Sequence, residues 1–262
     1  MLLKDKVVMV SGVGPGLGIK LALEAAREGA RAVAIGARDK GRLLEAQQRI
    51  KAVAGHCEVL CVATDITDVQ ACNRFAEATL EQFGRIDALI NSAFSHGGFQ
   101  AVDEADNDPL REALEVNLLG SLNMSRAVLA PMRAQGAGAI VMINTLGVRK
   151  PYQGGAAYAA SKSALAASVR YLASEQAAHG LRVNALACGW MWGEPVQALV
   201  RQSAVARGVS EEQVRAEFSA GIPGGRMRSD EECARAALFL ASDYASAING
   251  AQLDANGGEV MY

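Results

Sequence analysis

Short apolar runs alternate with longer segments of helical spacing along almost the whole chain, and few folds accept that alternation. Residues 7–10, 32–35, 59–62, 88–90, 139–143 and 183–186 are each too short for a buried helix and are flanked by Gly, Asp or Asn, which marks them as buried strands. Between them, residues 17–28, 42–53, 69–83, 109–133 and 158–179 carry helical patterns. Strands joined through helices run parallel, and a parallel sheet covered on both faces can be apolar on both sides. The βαβα order therefore predicts an α/β fold with a doubly wound, mainly parallel sheet flanked by helices. A seventh strand is expected at 250–254, after a helical run at 231–242.

The rhythm breaks between residues 190 and 227, where two short helices at about 196–207 and 211–220 precede the turn Gly221-Ile222-Pro223-Gly224-Gly225. This stretch follows the carboxyl end of a strand, where doubly wound folds bind ligands, so it reads either as a substrate lid or as a surface excursion. At 262 residues with 50% hydrophobic and 21% charged composition, the chain suits one domain over 1–262 with a sizeable core. A net charge of −2 gives no electrostatic case for nucleic acid or an anionic membrane as partner. No apolar stretch approaches the roughly 20 residues of a spanning helix. The first apolar run follows Lys4, Asp5 and Lys6 and ends in a glycine turn, as a first strand does and a secretory signal does not, so a cytoplasmic protein is expected. Cys57, Cys61, Cys72, Cys188 and Cys233 are an odd, scattered set without metal-site spacing, and read as free thiols in a reducing compartment with no metal bound.

The first strand runs into Ser11-Gly12-Val13-Gly14-Pro15-Gly16-Leu17-Gly18 and then a helix. Glycines let the backbone turn tightly and approach a ligand, while the helix start offers unpaired amides and a positive dipole to a pyrophosphate. A tight strand-helix turn with no ligand is the plainer alternative. Farther on, Tyr158 and Lys162 open an Ala-rich helix four places apart, which puts both side chains on one face. An ammonium beside a phenol favours phenolate, and a lowered Tyr158 pKa would suit a general acid/base for alcohol–ketone interconversion.

The turn does not fit GxGxxG. It fits Gly12-x3-Gly16-x-Gly18 preceded by Ser11, and together with Tyr158-x3-Lys162 it resembles the short-chain dehydrogenase/reductase family, whose turn reads TGxxxGxG. The resemblance runs from Lys6 to Gly258 and implies a Rossmann-like, seven-stranded fold. It assigns the catalytic set to Asn117, Thr145, Tyr158 and Lys162. Thr145, about 13 residues before Tyr158, stands where most members carry Ser and would hydrogen-bond the substrate oxygen. Asn117 would hold a water near Lys162 for proton relay, and Lys162 would also hold the nicotinamide ribose. The cofactor set becomes Ser11, Gly12, Gly14, Gly16, Leu17, Gly18, Arg38, Asp65, Ile66, Asn91, Ala93, Tyr158, Lys162, Gly189 and Met191, with Asp65 at the adenine. Ser92 and Phe94 depart from the NNAG segment that family members carry after the fourth strand. Cys188 replaces the usual Pro and Gly193 the usual Thr that holds the nicotinamide carboxamide, so backbone groups around Met191 must take over.

After the second strand, Ala37 occupies the slot where an acidic residue would read the ribose hydroxyl, and Arg38 follows. An arginine there pairs with a 2′-phosphate, which favours NADP(H) over NAD(H). Pro15, where many NADP-dependent relatives carry a basic residue, and Asp39, within reach of a ribose if the strand ends one residue later, argue the other way. Trp190 and Trp192, both tryptophans of the chain, join Phe94, Leu146 and Tyr152 as a candidate apolar substrate wall, or else form core beneath the lid. His96 is a further candidate for substrate contact; Arg149 and Lys150 can meet an anionic group or stand solvated. The two long helices at 109–133 and 158–179, with Ala160, Ala164, Ala167 and Ser168, resemble those through which family members form dimers or tetramers. The expected activity is reversible hydride transfer between a secondary alcohol and a ketone, on an apolar or cyclic small molecule. The rival readings are a nicotinamide-nucleotide-binding regulatory protein with little turnover, and a different reaction such as dehydration or epimerisation on the same fold.

Overall fold

In the computed structural model, which describes residues 1–261, seven parallel strands form one sheet in the order β3-β2-β1-β4-β5-β6-β7. The strands are β1 (Val7–Ser11), β2 (Ala32–Ala37), β3 (Glu58–Ala63), β4 (Ala88–Asn91), β5 (Gly138–Thr145), β6 (Leu181–Cys188) and β7 (Gln252–Ala255). The helices are α1 (Leu17–Arg27), α2 (Lys40–Val53), α3 (Val69–Phe83), α4 (Asn107–Ala113), α5 (Ser121–Gln135), α6 (Ala156–Gln176), α7 (Glu194–Arg207), α8 (Glu211–Ser219) and α9 (Asp230–Ala241). Each strand and helix expected from the sequence is present, with ends shifted by a few residues.

Alternation along each strand sends neighbouring side chains to opposite faces. Val8, Val10, Val33 and Ile35 join the core under α1, α2 and α9, whereas Val7, Met9, Ala32 and Ala34 join the core under α3, α5 and α6. Both faces of β1 are therefore dry, as a central parallel strand requires. Each fully buried Val, Leu or Ile side chain contributes about 1.5–3 kcal/mol. Strand order reverses at β1, which pairs with β2 on one side and β4 on the other. The crossovers leave in opposite directions there, and the carboxyl ends of β1 and β4 open into a crevice.

One region departs from expectation. The single helix expected over 109–133 is α4 and α5 joined by a π-helical segment, Leu114–Gly120, with Asn117 at its centre. A π-helical turn adds a residue to the repeat without changing composition or apolar spacing, so the sequence carries little trace of it. α7 and α8 pack on each other through Val200, Ala204 and Val214, a small cluster separate from the two sheet cores. Among the described residues, no helix is long and apolar enough to cross a membrane.

Candidate active site

A cavity of about 1110 Å³ lies over the carboxyl ends of the strands, somewhat larger than the roughly 300–1,000 Å³ typical of small-molecule sites. Its floor is the glycine turn. Gly12 and Val13 donate backbone hydrogen bonds to the Gly36 carbonyl at 2.8 and 3.1 Å, which fastens the turn to the end of β2. Gly12 has φ +86°, and a Cβ there would lie 2.2 Å from the Ala93 nitrogen, so only glycine lets the β1 and β4 ends approach. Beneath it the Ser11 hydroxyl donates to Asn91 Oδ1 at 3.0 Å, and Asn91 Nδ2 donates to Ser125 Oγ at 3.1 Å. Ser11 and Asn91 thus brace the floor from below and do not line the cavity. Gly14, Gly16, Leu17 and Gly18 do line it. Gly16 precedes α1 without a side-chain cap, and with the Ile19 amide turned back to the Gly14 carbonyl at 3.2 Å the Leu17 and Gly18 amides are left to the cavity. Those amides and the open face at Gly14, where a Cβ would meet nothing within 4 Å, fit a dinucleotide's pyrophosphate.

Arg38, Asp39, Arg42, Asp65 and Ile66 line one end of the cavity. β2 ends at Ala37, and the Asp39 carboxylate caps α2 by accepting from Gly41 N and Arg42 N at 2.8 and 3.2 Å. Asp65 accepts from Thr67 N at 3.0 Å and Thr67 Oγ1 at 2.8 Å. The Thr67 N–H holds its pKa below the usual carboxylate range against the opposing effect of burial, helped by the Thr67 hydroxyl and the Arg38 charge.

In the middle stand Thr145, Tyr158 and Lys162. Thr145 ends β5, and its Oγ1 accepts from Gly147 N at 3.1 Å, leaving the hydroxyl proton free to point into the cavity. Lys162, 1% exposed, donates from Nζ to the Ile143 carbonyl at 2.7 Å, and burial pulls its ammonium down to about 8. The lowered Tyr158 pKa expected from the sequence is not what the structure holds. Burial first, then Tyr152 and Cys188, push the phenol above its ordinary value; the Lys162 ammonium is turned toward Ile143 and lies 5.8 Å from the Tyr158 ring centre. Asn117 is fully buried away from the cavity: Nδ2 donates to Ser95 O and Ser161 Oγ, both at 2.8 Å, and Oδ1 accepts from Ser95 N at 2.9 Å. Its side chain thus ties α6 to the segment after β4 instead of reaching toward Lys162.

The other end is aromatic. Phe94, His96, Tyr152 and Trp190 line it with Leu146, and Ala93, Gly189 and Met191 lie beside them. The His96 ring stacks over Tyr158 at 5.2 Å and bonds Tyr152 Oη through Nε2 at 3.0 Å, while Nδ1 donates to Gly98 O at 2.6 Å. Trp192 is placed elsewhere. It packs against the α7–α8 cluster with the Arg215 guanidinium 4.5 Å over its ring, so of the two readings open for it the core reading holds. Arg149 and Lys150 are engaged by Asp254 and by Glu259 (2.8 Å from Lys150), which removes them as a solvated pair. Sequence reading missed Pro195, Val196 and Leu199 of α7 and Asp230 of α9, all on the cavity wall. The α7 residues carried the signal of the suspected lid; Asp230 carried none.

A family model described as enoyl-(acyl carrier protein) reductase matches residues 12–259. L-fucose dehydrogenase of Oryctolagus cuniculus is 33% identical over 254 residues, 97% of this chain and 84% of that protein. Cis-4-hydroxycyclohexanecarboxylate dehydrogenase of Sinomonas cyclohexanicum is 33% identical over 258 residues, 97% of this chain and 96% of that one. The solved structure of L-sorbose reductase from Gluconobacter frateurii, complexed with NADPH and L-sorbose, superposes with a TM-score of 0.94 at 26% identity, covering 100% of this chain and 99% of that one. Fold, crevice and relatives agree: the chain belongs to the short-chain dehydrogenase/reductase family and is an NAD(P)-dependent oxidoreductase acting on CH–OH groups.

Proposed function

We propose that the chain interconverts a secondary alcohol and a ketone on an apolar or cyclic small molecule, with NADP(H) preferred over NAD(H). The observation that carries this reading is that Tyr158, Lys162 and Thr145 open onto the same cavity as the glycine turn and the uncapped start of α1. A bound nicotinamide supplies or takes up the hydride. In the reducing direction Tyr158, protonated at neutral pH, donates its phenolic proton to the carbonyl oxygen, and Thr145 donates a hydrogen bond to the same oxygen. The buried Lys162 charge stabilises the phenolate that forms, an effect strengthened where water is excluded. Asn117 is a positioning residue that acts through Ser95 and Ser161. In oxidation the phenolate takes the carbinol proton back.

The cofactor preference rests on Arg38 and Arg42 at the adenosine end and on Asp39 being committed to the α2 cap. The substrate class rests on the aromatic end of the cavity. The α7–α8 pair, with its own small core, is assigned as the lid, since Val196 and Leu199 reach the cavity from it. Self-association through the outer faces of the π-helical segment leading into α5 and of α6 fits the exposure of Leu119 and Tyr171, and sedimentation showing a monomer would refute it. Titration with NADPH and NADH followed by fluorescence, then a ketone panel read at 340 nm, tests the whole reading. Tighter NADPH binding with ketone-dependent oxidation that vanishes in Tyr158→Phe is expected; binding without turnover on any ketone would refute the reaction.

A further inference from the structure

Asp230 is a buried acid whose carboxyl accepts no hydrogen bond from any described residue. It is 3% exposed, opens α9, and lines the cavity beside Gly16, Gly193 and Pro195. Ser229 and Glu232 form the capping box of α9, so the helix start does not use the Asp230 carboxyl. No described side chain or backbone amide donates a hydrogen bond to it. An ideal Cβ on Gly193 would fall 2.0 Å from Asp230 Oδ2, and one on Gly16 would fall 3.7 Å from it. The carboxyl therefore occupies the space that any side chain at 193 would fill, at the amino end of α1.

We propose that Asp230 is a cofactor-binding residue that donates a hydrogen bond, as a neutral carboxylic acid, to the phosphate nearest the nicotinamide, so that nucleotide binding takes up a proton. The inference rests on the cofactor reading of this cavity. A carboxylate and a pyrophosphate beside Gly16 would repel as two anions, whereas a carboxylic acid at the same place offers the phosphate a hydrogen-bond donor. The free protein is already poised for this. Burial, then the neighbouring Glu231 carboxylate, push Asp230 up to about 6, against the pull of Lys20 on α1. The other titratable groups around it are the Cys188 thiol at the end of β6 and the Cys233 thiol on α9; Lys20 is itself paired with Glu231 at 2.6 Å. An anionic phosphate arriving next to Asp230 moves the acid farther in the same direction.

The test is calorimetric binding of NADH, whose phosphates do not titrate near neutrality, in two pH 7 buffers of different ionisation enthalpy. The wild type should take up about half a proton or more per nucleotide, and its affinity should fall by up to tenfold per pH unit above pH 7. In the near-isosteric Asp230→Asn, proton uptake should vanish and the affinity should become flat between pH 6 and 8. A second variant pair checks the shared space: Gly193→Ala should weaken NADH binding, and adding Asp230→Ala should restore part of it. Equal proton uptake in the wild type and Asp230→Asn would overturn the inference while leaving the cofactor site standing. Failure of the wild type to bind either NADH or NADPH would overturn both.

Discussion

The two ends of the cavity are built by different means. At the nucleotide end the wall is largely main chain: the glycine turn fastened to Gly36, the first-turn amides of α1, and two braced hydroxyl and amide groups below them. At the substrate end the wall is side chain, drawn from the segments after β4, β5 and β6 and from α7. A main-chain wall is set by the backbone and leaves no room for a side chain where two strand ends meet, as at Gly12. A side-chain wall can be rebuilt residue by residue, so one fold serves many alcohols. The contrast predicts that mutations at the first end act on stability and cofactor affinity, and at the second on turnover and KM.

The largest effect that would sharpen this contrast is in Tyr158→Phe. Loss of the acid/base should lower kcat by about 10²–10⁴-fold, far more than it weakens NADPH binding in fluorescence titration. At the opposite end, Gly12→Ala forces a Cβ into the Ala93 backbone at positive φ and should lower stability by about 2–4 kcal/mol in denaturant unfolding. A fully stable Gly12→Ala would break the claim that this turn has no slack. Arg38→Ala should weaken NADPH binding by about 10–100-fold and barely change NADH, as loss of a charge-assisted bond to a 2′-phosphate requires.

The pH dependence follows from the raised Tyr158 phenol. Below its pKa the group is an acid, so ketone reduction should be flat between pH 6 and 7.5. Alcohol oxidation, which needs phenolate, should rise by up to tenfold per pH unit over the same range. The smallest effects separate the two tryptophans. Trp190→Ala should raise KM for bulky apolar ketones by about tenfold, through roughly 1–2 kcal/mol of lost apolar contact. Trp192→Ala should instead loosen the α7–α8 pair, read as a lower Tm with KM for small ketones unchanged.

How far each end was legible follows the same division. The strand alternation and the glycine turn are local patterns, and they led directly to the sheet and to the cavity floor. Tyr158 and Lys162 share a helix face and were equally readable. The family motifs assign Ser11 and Asn91 to the cofactor and Asn117 to the proton relay, but the structure puts their side chains behind the wall as braces, a distinction that depends on which side of a strand end faces solvent. The two tryptophans are two positions apart and identical in type, so nothing in the chain order could say that one faces ligand and the other Arg215. The Tyr158 pKa was misread because proximity to Lys162 was weighed and burial was not. Asp230 was invisible for a stronger reason: its setting is created by a missing side chain at Gly193, and only the folded chain brings those positions together.

The central claim is that one dinucleotide spans both ends with its reactive ring at Tyr158. A crystal structure with NADPH bound tests it directly. The account predicts the adenosine at Arg38 and Asp65, the pyrophosphate over Gly14 and Gly16, and the nicotinamide facing the Tyr158 and Thr145 hydroxyls. A nucleotide bound in the reverse direction, or outside this cavity, would contradict it.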